Sequence, residues 1–141
     1  MSDYKFSMAD VIKAMQEVVD EQGEDYEYES IGGACYYGDR DGNPSCIVGH
    51  VIHKLDPEAF DHVVKIEREW DSCAAKGLTR VADGAGLSES NRYLPEDFWD
   101  ANTAFVLQAA QGAQDLGSPW GSVLVQAEQR ARDYGWKQER G

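Results

Sequence analysis

Apolar residues recur at intervals of three and four along most of this chain, the spacing that places them on one side of a helix. The first such stretch follows Ser7, which can form a capping box with Asp10, and it stops before Gly23, a typical helix terminator. The pattern therefore predicts a first helix over residues 8–22. Its apolar positions are Val11, Ile12, Met15, Val18 and Val19.

A second amphipathic stretch follows a turn at residues 41–43. Pro44 keeps the chain extended after this turn and Ser45 is a good N-cap, so a helix is predicted to begin at Cys46. One face of this helix is aliphatic and comprises Ile47, Val48, Val51, Ile52 and Leu55. Its opposite face comprises Cys46, Gly49, His50 and His53. Residues 34–37 have the composition of a strand, and a short hairpin there would bring Cys35 near Cys46.

Asp56 and Pro57 are predicted to open a third helix that Gly77 ends, and residues 78–94 are predicted to form a long loop. The Pro-Glu-Asp sequence at residues 95–97 is typical of the start of a fourth helix, which Gly117 would end. One side of that helix carries many small residues, which would let another helix approach closely. This side comprises Phe98, Ala101, Phe105, Ala109, Gly112, Ala113 and Leu116.

Ser118 and Pro119 are predicted to begin a last helix that forms a hairpin with the preceding one and ends at Gly135. Residues 135–141 form a polar tail, which we expect to be frayed. The patterns together predict a mainly α fold. They indicate a single acidic helical domain over residues 1–141, with about five helices and a minor β-hairpin.

The formal charge of −13 is large for 141 residues and is concentrated in the first half of the chain. Such a charge disfavours direct binding to nucleic acid or to an anionic membrane, because both need Lys and Arg to neutralise phosphate. Acids alternate with tyrosines between Glu24 and Glu29, a pattern that allows an edge strand. This segment is either a solvated face or a contact surface for a basic protein, with the tyrosines as anchors. The candidate partner-binding residues are Glu24, Asp25, Tyr26, Glu27, Tyr28 and Glu29.

The N-terminal residues and the number of cysteines bear on where the protein is located. The first residues lack the basic and apolar regions of a signal peptide, and no apolar stretch approaches membrane-spanning length. Three cysteines are an odd number, which argues against a complete disulfide framework. We therefore expect a cytoplasmic protein.

Candidate chemistry is confined to the helix that follows the turn. Cys46, His50 and His53 share one helix face, and Cys35 could add a fourth ligand for a tetrahedral zinc ion. Against a metal site, the usual ligand spacings are absent and the distance along the helix from Cys46 to His53 is long for one small ion. Alternatively, Cys46 could act as a nucleophile at a helix N-terminus, or its face could simply receive the packed hairpin. We favour packing, with no catalytic residue and no cofactor.

Residues 42–55 contain a Pro-Ser-Cys-x-x-Gly helix start, and an alanine-rich stretch later contains Gln111, Gln114-Asp115, Gly117 and Trp120-Gly121. This combination resembles small accessory proteins of actinobacterial phages (mycobacteriophage type) that have no assigned activity. The resemblance implies a phage accessory gene expressed in a bacterial host cytoplasm. We expect a non-enzymatic protein that binds a basic host protein, inhibiting it or competing with nucleic acid, with a homo-oligomer as a further expectation. The alternative is a small metal- or thiol-dependent enzyme or ligand-binding domain centred on Cys46, His50 and His53.

Overall fold

The computed structural model describes residues 4–28, 37–38, 41–69 and 97–137. Within these ranges the chain is mainly helical, as predicted. The helices are α1 (Met8–Gln22), α2 (Ile47–Leu55), α3 (Pro57–Glu69), α4 (Ala101–Asp115) and α5 (Trp120–Asp133). The minor β-hairpin is not seen in the described ranges, where pairing is limited to one antiparallel bridge between Gly38 and Pro44.

Both ends of α1 lie where the sequence predicts them. The Asp10 backbone N–H donates to the Ser7 hydroxyl, and the Ser7 N–H donates to the Asp10 carboxylate, so the capping box is complete. Gly23 ends the helix at φ 101°, a conformation that favours glycine. After it, residues 24 and 25 form a turn and residues 26–28 have no regular secondary structure, so the edge strand that the pattern allowed is absent from them.

Helix α2 begins one residue later than predicted, because Cys46 and not Ser45 is its N-cap. The Cys46 sulfur accepts a hydrogen bond from the Gly49 N–H at 3.4 Å. Ser45 belongs to the turn instead, since its N–H donates to the Tyr37 carbonyl at 2.8 Å. The aliphatic face of α2 packs into the core as predicted: Ile47, Val48, Val51 and Ile52 are buried and Leu55 packs against the core.

Helix α3 begins at Pro57, as predicted, and the Asp56 carboxylate accepts a hydrogen bond from the Ala59 N–H at 3.2 Å. The Lys5 ammonium pairs with the same carboxylate and holds the pKa of Asp56 below its usual value. This ion pair joins the chain before α1 to the α2–α3 junction. The predicted end of the third helix at Gly77 and the predicted loop at residues 78–94 lie outside the described residues.

Helix α4 begins at Ala101, so the predicted start at residues 95–97 is wrong. Asp100 is the N-cap, and its carboxylate accepts hydrogen bonds from the Thr103 N–H at 2.8 Å and the Thr103 hydroxyl at 2.6 Å. The residues before Asp100 pair with the chain that precedes α1. The backbone carbonyls of Asp97 and Phe98 accept hydrogen bonds from the N–H groups of Lys5 and Phe6. Pro95 and Glu96 lie outside the described residues.

The side of α4 that faces the core also differs from the prediction. Ala113 is buried as expected, but Phe105, Gly112 and Leu116 face outward. Leu107 and Gln114 are among the residues that face inward. Because α4 carries apolar residues on all sides, its periodicity did not identify the inner face.

Helices α4 and α5 form the predicted hairpin, with Gly117 at φ 90° in the connection. Helix α2 lies against α1, α3 and α4, and α3 contacts the other described helices chiefly through α2. Its N-terminus also receives a bond from α4, because the buried Gln114 side-chain oxygen accepts from the Ile47 N–H at 2.7 Å. Among the described residues, no helix combines the length and apolar character needed to traverse a bilayer.

Candidate protein-binding groove

The acidic segment is fixed to the start of α5 by backbone hydrogen bonds. The Trp120 N–H donates to the Tyr26 carbonyl and the Gly121 N–H donates to the Glu24 carbonyl, both at 2.8 Å. Pro119, the N-cap of α5, provides no side-chain cap, so these two carbonyls satisfy N–H groups that would otherwise lack an acceptor. The helix thereby sets the path of the acidic segment, while the side chains of Glu24, Asp25 and Glu27 are exposed.

Close contact between the segment and the helix depends on Gly121. A Cβ atom at this position would lie 2.8 Å from the Glu24 Cβ and 3.0 Å from the Glu24 carbonyl oxygen. Any larger residue would therefore push the segment away from α5. The glycine is the residue that allows the two elements to form adjoining walls of a groove.

A shallow groove of about 460 Å³ lies between the acidic segment and the first two turns of α5. We call it the acidic groove, and its lining residues are Glu24, Asp25, Pro119, Gly121, Ser122, Val125 and Gln126. The lining contains two acids and no base, while Val125 is 60% exposed and supplies an apolar wall. This combination suits a cationic side chain that has an apolar stem, as Lys and Arg do.

Aromatic packing beneath the groove holds the acidic segment in place. Trp120 is fully buried, and the Tyr26 ring meets it edge-on with the ring centroids 4.6 Å apart. The His50 ring also contacts the Trp120 indole, with the ring centroids 5.3 Å apart. This contact joins α2 to α5. Burial lowers the pKa of His50 to about 4, with a smaller contribution from the charge of His53. A pKa of about 4 leaves the imidazole neutral at pH 7.

The six predicted partner-binding residues do not all lie in the same environment. Glu24, Asp25, Tyr26 and Glu27 are exposed, and the first two line the groove. Tyr28 is half-buried, packs against the core, and its hydroxyl oxygen accepts from the Ser45 hydroxyl at 3.4 Å. Glu29 lies outside the described residues.

The residues predicted as candidates for a metal or thiol site lie partly in the core and partly at the surface. Cys46 is fully buried, His50 is partly buried against Trp120, and His53 is exposed and contacts the Phe60 ring at 5.1 Å. Across the described ranges, no three His, Cys, Asp or Glu side chains are grouped so that they could hold a metal ion. Cys35 lies outside these ranges, so the four-ligand site remains a prediction.

The expected close packing on the Cys-Gly-His face of α2 is present at Gly49. A Cβ atom on Gly49 would lie 2.1 Å from the backbone oxygen of Tyr37. The backbone of Tyr37 therefore rests directly on the helix, which supports the packing interpretation of this face over a catalytic one.

The sequence did not identify the α5 wall of the groove or the role of Gln114. The α5 wall of the groove was missed because Val125 falls outside the apolar periodicity that identified the helix. Gln114 was noticed only as part of a resemblance, whereas it bonds to the first turn of α2, 67 residues away in sequence. Its signal was a polar residue within an apolar stretch, which can mark a buried capping group.

The chain was compared with protein-family models, with curated proteins and with solved structures, and none of the three comparisons found a match.

Proposed function

We propose that this chain is a non-enzymatic accessory protein, of the phage-encoded kind that its sequence resembles, and that it binds a basic host protein through the acidic groove. The observation that carries the proposal is the fixed acidic segment. Its carbonyls are bound to the start of α5, while Glu24 and Asp25 stand exposed beside an apolar wall.

The groove is suited to a Lys or Arg side chain on an exposed segment of the partner. The alkyl stem would pack on Val125 and Pro119, and the charged head would lie near the carboxylates of Glu24 and Asp25. The polar side chains of Ser122 and Gln126 offer further hydrogen-bond acceptors at the same place. Several such contacts along the acidic segment would cover a basic surface, so the partner would be inhibited or kept from nucleic acid.

The charge of the whole chain supports the same kind of partner. A net charge of −13 attracts a basic protein over a distance comparable to the Debye length and repels nucleic acid. Binding should therefore be fast at low salt and weaken as salt is added. The interior position of Cys46 supports the non-enzymatic part of the proposal, because a reactive thiolate needs access to its substrate.

The proposal is tested by affinity capture from an actinobacterial lysate at low and high salt, followed by titration of the captured protein. In the test variant, Glu24→Gln, Asp25→Asn and Glu27→Gln remove three charges without shortening the side chains. We expect this variant to lose capture of the basic protein and to show a smaller salt dependence. The backbone bonds to α5 do not involve these side chains, so the fold should persist.

A matched control removes the same number of charges elsewhere, through Asp20→Asn, Glu58→Gln and Asp61→Asn. These three residues are exposed on α1 and α3 and do not line the groove. The control should retain the partner. If both variants lose it equally, only total charge matters and the groove has no specific role. If the wild-type chain captures no basic protein at low salt, the proposed function is wrong.

A further inference from the structure

The outward face of α4 is unlike the exposed face of any neighbouring helix. The helix carries no charged residue until Asp115 at its last position, although 28% of the residues in the chain are charged. By contrast, the outward faces of α1, α3 and α5 each carry charged side chains. A solvent-facing helix normally carries such groups along its length, so their absence from the first fourteen residues of α4 requires an explanation.

Four positions of this face form one apolar stripe, which is flanked by the exposed polar residues Asn102, Gln108 and Asp115. Phe105 is 37% exposed and Leu116 is 89% exposed, and Ala109 and Gly112 lie between them. At 100° per residue, these four positions fall within about 60° of one another. We call them the neutral face. A Cβ atom added at Gly112 would meet nothing within 4 Å, so the centre of the face is open to an incoming backbone.

We infer that the neutral face is the contact between two copies of this chain, with their α4 helices packed antiparallel. The order of side chains along the face is large, small, small, large, and it reads the same in both directions. In an antiparallel pair, Phe105 of each copy would therefore meet Leu116 of the other, while the small residues meet at the centre. A twofold contact requires this kind of self-complementary surface.

Charge restricts where a second copy could dock. Two chains that each carry −13 repel one another wherever their acidic surfaces approach, so a contact between them meets least repulsion through a face with few acids, such as the neutral face. A basic partner has the opposite requirement and would favour the acidic groove. The two surfaces therefore serve different partners, and this inference does not depend on the proposed function.

The expected dimer is weak. The contact is one helix wide and extends about 16 Å from Phe105 to Leu116, so the buried area lies at the low end for protein interfaces. We expect half of the chains to associate at concentrations of roughly 10 µM to 1 mM. Added salt should strengthen the dimer, because it screens the repulsion between the acidic surfaces. Salt should weaken the binding of a basic protein, so the two interactions can be told apart.

Sedimentation equilibrium over a range of protein and salt concentrations tests the inference. The average mass of the wild-type chain should rise above the monomer value of 15.7 kDa with concentration, and more steeply at higher salt. Gly112→Glu would place like charges across the twofold axis and should weaken association at least roughly tenfold. Ala9→Glu adds the same charge at an exposed position on α1 and should leave association nearly unchanged.

A charge swap tests the antiparallel arrangement. Phe105→Glu and Leu116→Lys should each abolish association, and the double variant should restore it, because each new carboxylate would face a new ammonium group of the other copy. Circular dichroism confirms that each variant is folded. Failure of the double variant to associate overturns the antiparallel arrangement. A wild-type chain that stays monomeric at 1 mM, or a Gly112→Glu variant that associates like the wild type, overturns the dimer itself.

Discussion

Gly49→Ala should destabilise the protein, although an alanine is normally the better helix residue. Gly49 lies in the first turn of α2, where the backbone of Tyr37 covers it. The new methyl group would lie 2.1 Å from the Tyr37 carbonyl oxygen, so the two must separate. The measurement is thermal and urea unfolding, followed by circular dichroism at 222 nm in dilute solution.

The change in the free energy of unfolding follows from one stabilising and two destabilising contributions. Replacing a helical glycine with alanine gains up to about 1 kcal/mol. Restoring an ordinary carbon–oxygen distance of about 3.3 Å needs a displacement of roughly 1 Å, and overpacking of this kind costs about 1–3 kcal/mol. The displacement also strains the hydrogen bond from the Ser45 N–H to the same Tyr37 oxygen, worth about 1 kcal/mol. We expect a net loss of about 2 kcal/mol and a Tm lower by roughly 8 °C.

Gly112→Ala is the matched control, because it makes the same chemical change in α4 where a Cβ meets nothing within 4 Å. Here only the propensity gain applies, so the free energy of unfolding should rise by up to about 1 kcal/mol. The two substitutions should therefore have opposite signs. If both stabilise the protein, the backbone of Tyr37 does not rest on α2 and the packing argument is wrong.

Three further predictions concern buried or capping groups. Gln114→Met removes the acceptor for the buried Ile47 N–H and should cost about 1–3 kcal/mol in urea unfolding. For His50, the folded pKa of about 4 lies below the ordinary value of 6.5, so its contribution to stability is complete above pH 6.5 and is lost as pH falls towards 4. His50→Gln should remove roughly 2–3 kcal/mol of that pH dependence. Ser7→Ala breaks the capping box with Asp10 and should cost about 1 kcal/mol in thermal unfolding.

Each of these predictions has a specific contradicting result. Gln108→Met on the exposed side of α4 is the control for Gln114, and equal effects of the two would mean that the buried acceptor contributes nothing. For His50, the stability difference between wild type and variant must change between pH 7 and pH 4.5, and a constant difference would refute the argument. A Ser7→Ala variant as stable as the wild type would show that α1 does not need its cap.

The sequence predicted those helix ends that depend on local chemistry. The Ser7 capping box, Gly23 and Pro57 act within a few residues of themselves, so their effects could be inferred without the fold. The start of α2 could not be inferred in the same way. Ser45 is the better N-cap by preference, but the Tyr37 carbonyl binds its N–H and Cys46 takes the capping position. Tertiary contacts therefore decided that helix end.

Only the acidic side of the groove could be predicted from the sequence, because the other side depends on a tertiary contact. The sequence showed the acids at residues 24–29, but not which distant helix would form the opposite wall. That wall exists because the Trp120 and Gly121 N–H groups bind carbonyls of Tyr26 and Glu24, and such pairing leaves no local pattern. The orientation of α4 was unpredictable because both of its sides are apolar, so burial depended on the packing of α2 and α5.

The bonds between the acidic segment and α5 also have a consequence during synthesis. A ribosome releases residues 24–28 long before residues 120–121, whose N–H groups hold that segment in place. A nascent chain would therefore carry the carboxylates without the wall that orients them. In the same way, the Ile47 N–H in the first turn of α2 lacks its acceptor until Gln114 has been synthesised. A partner would meet the assembled groove only after translation had passed the α4–α5 hairpin, so incomplete chains should not compete with finished molecules for it.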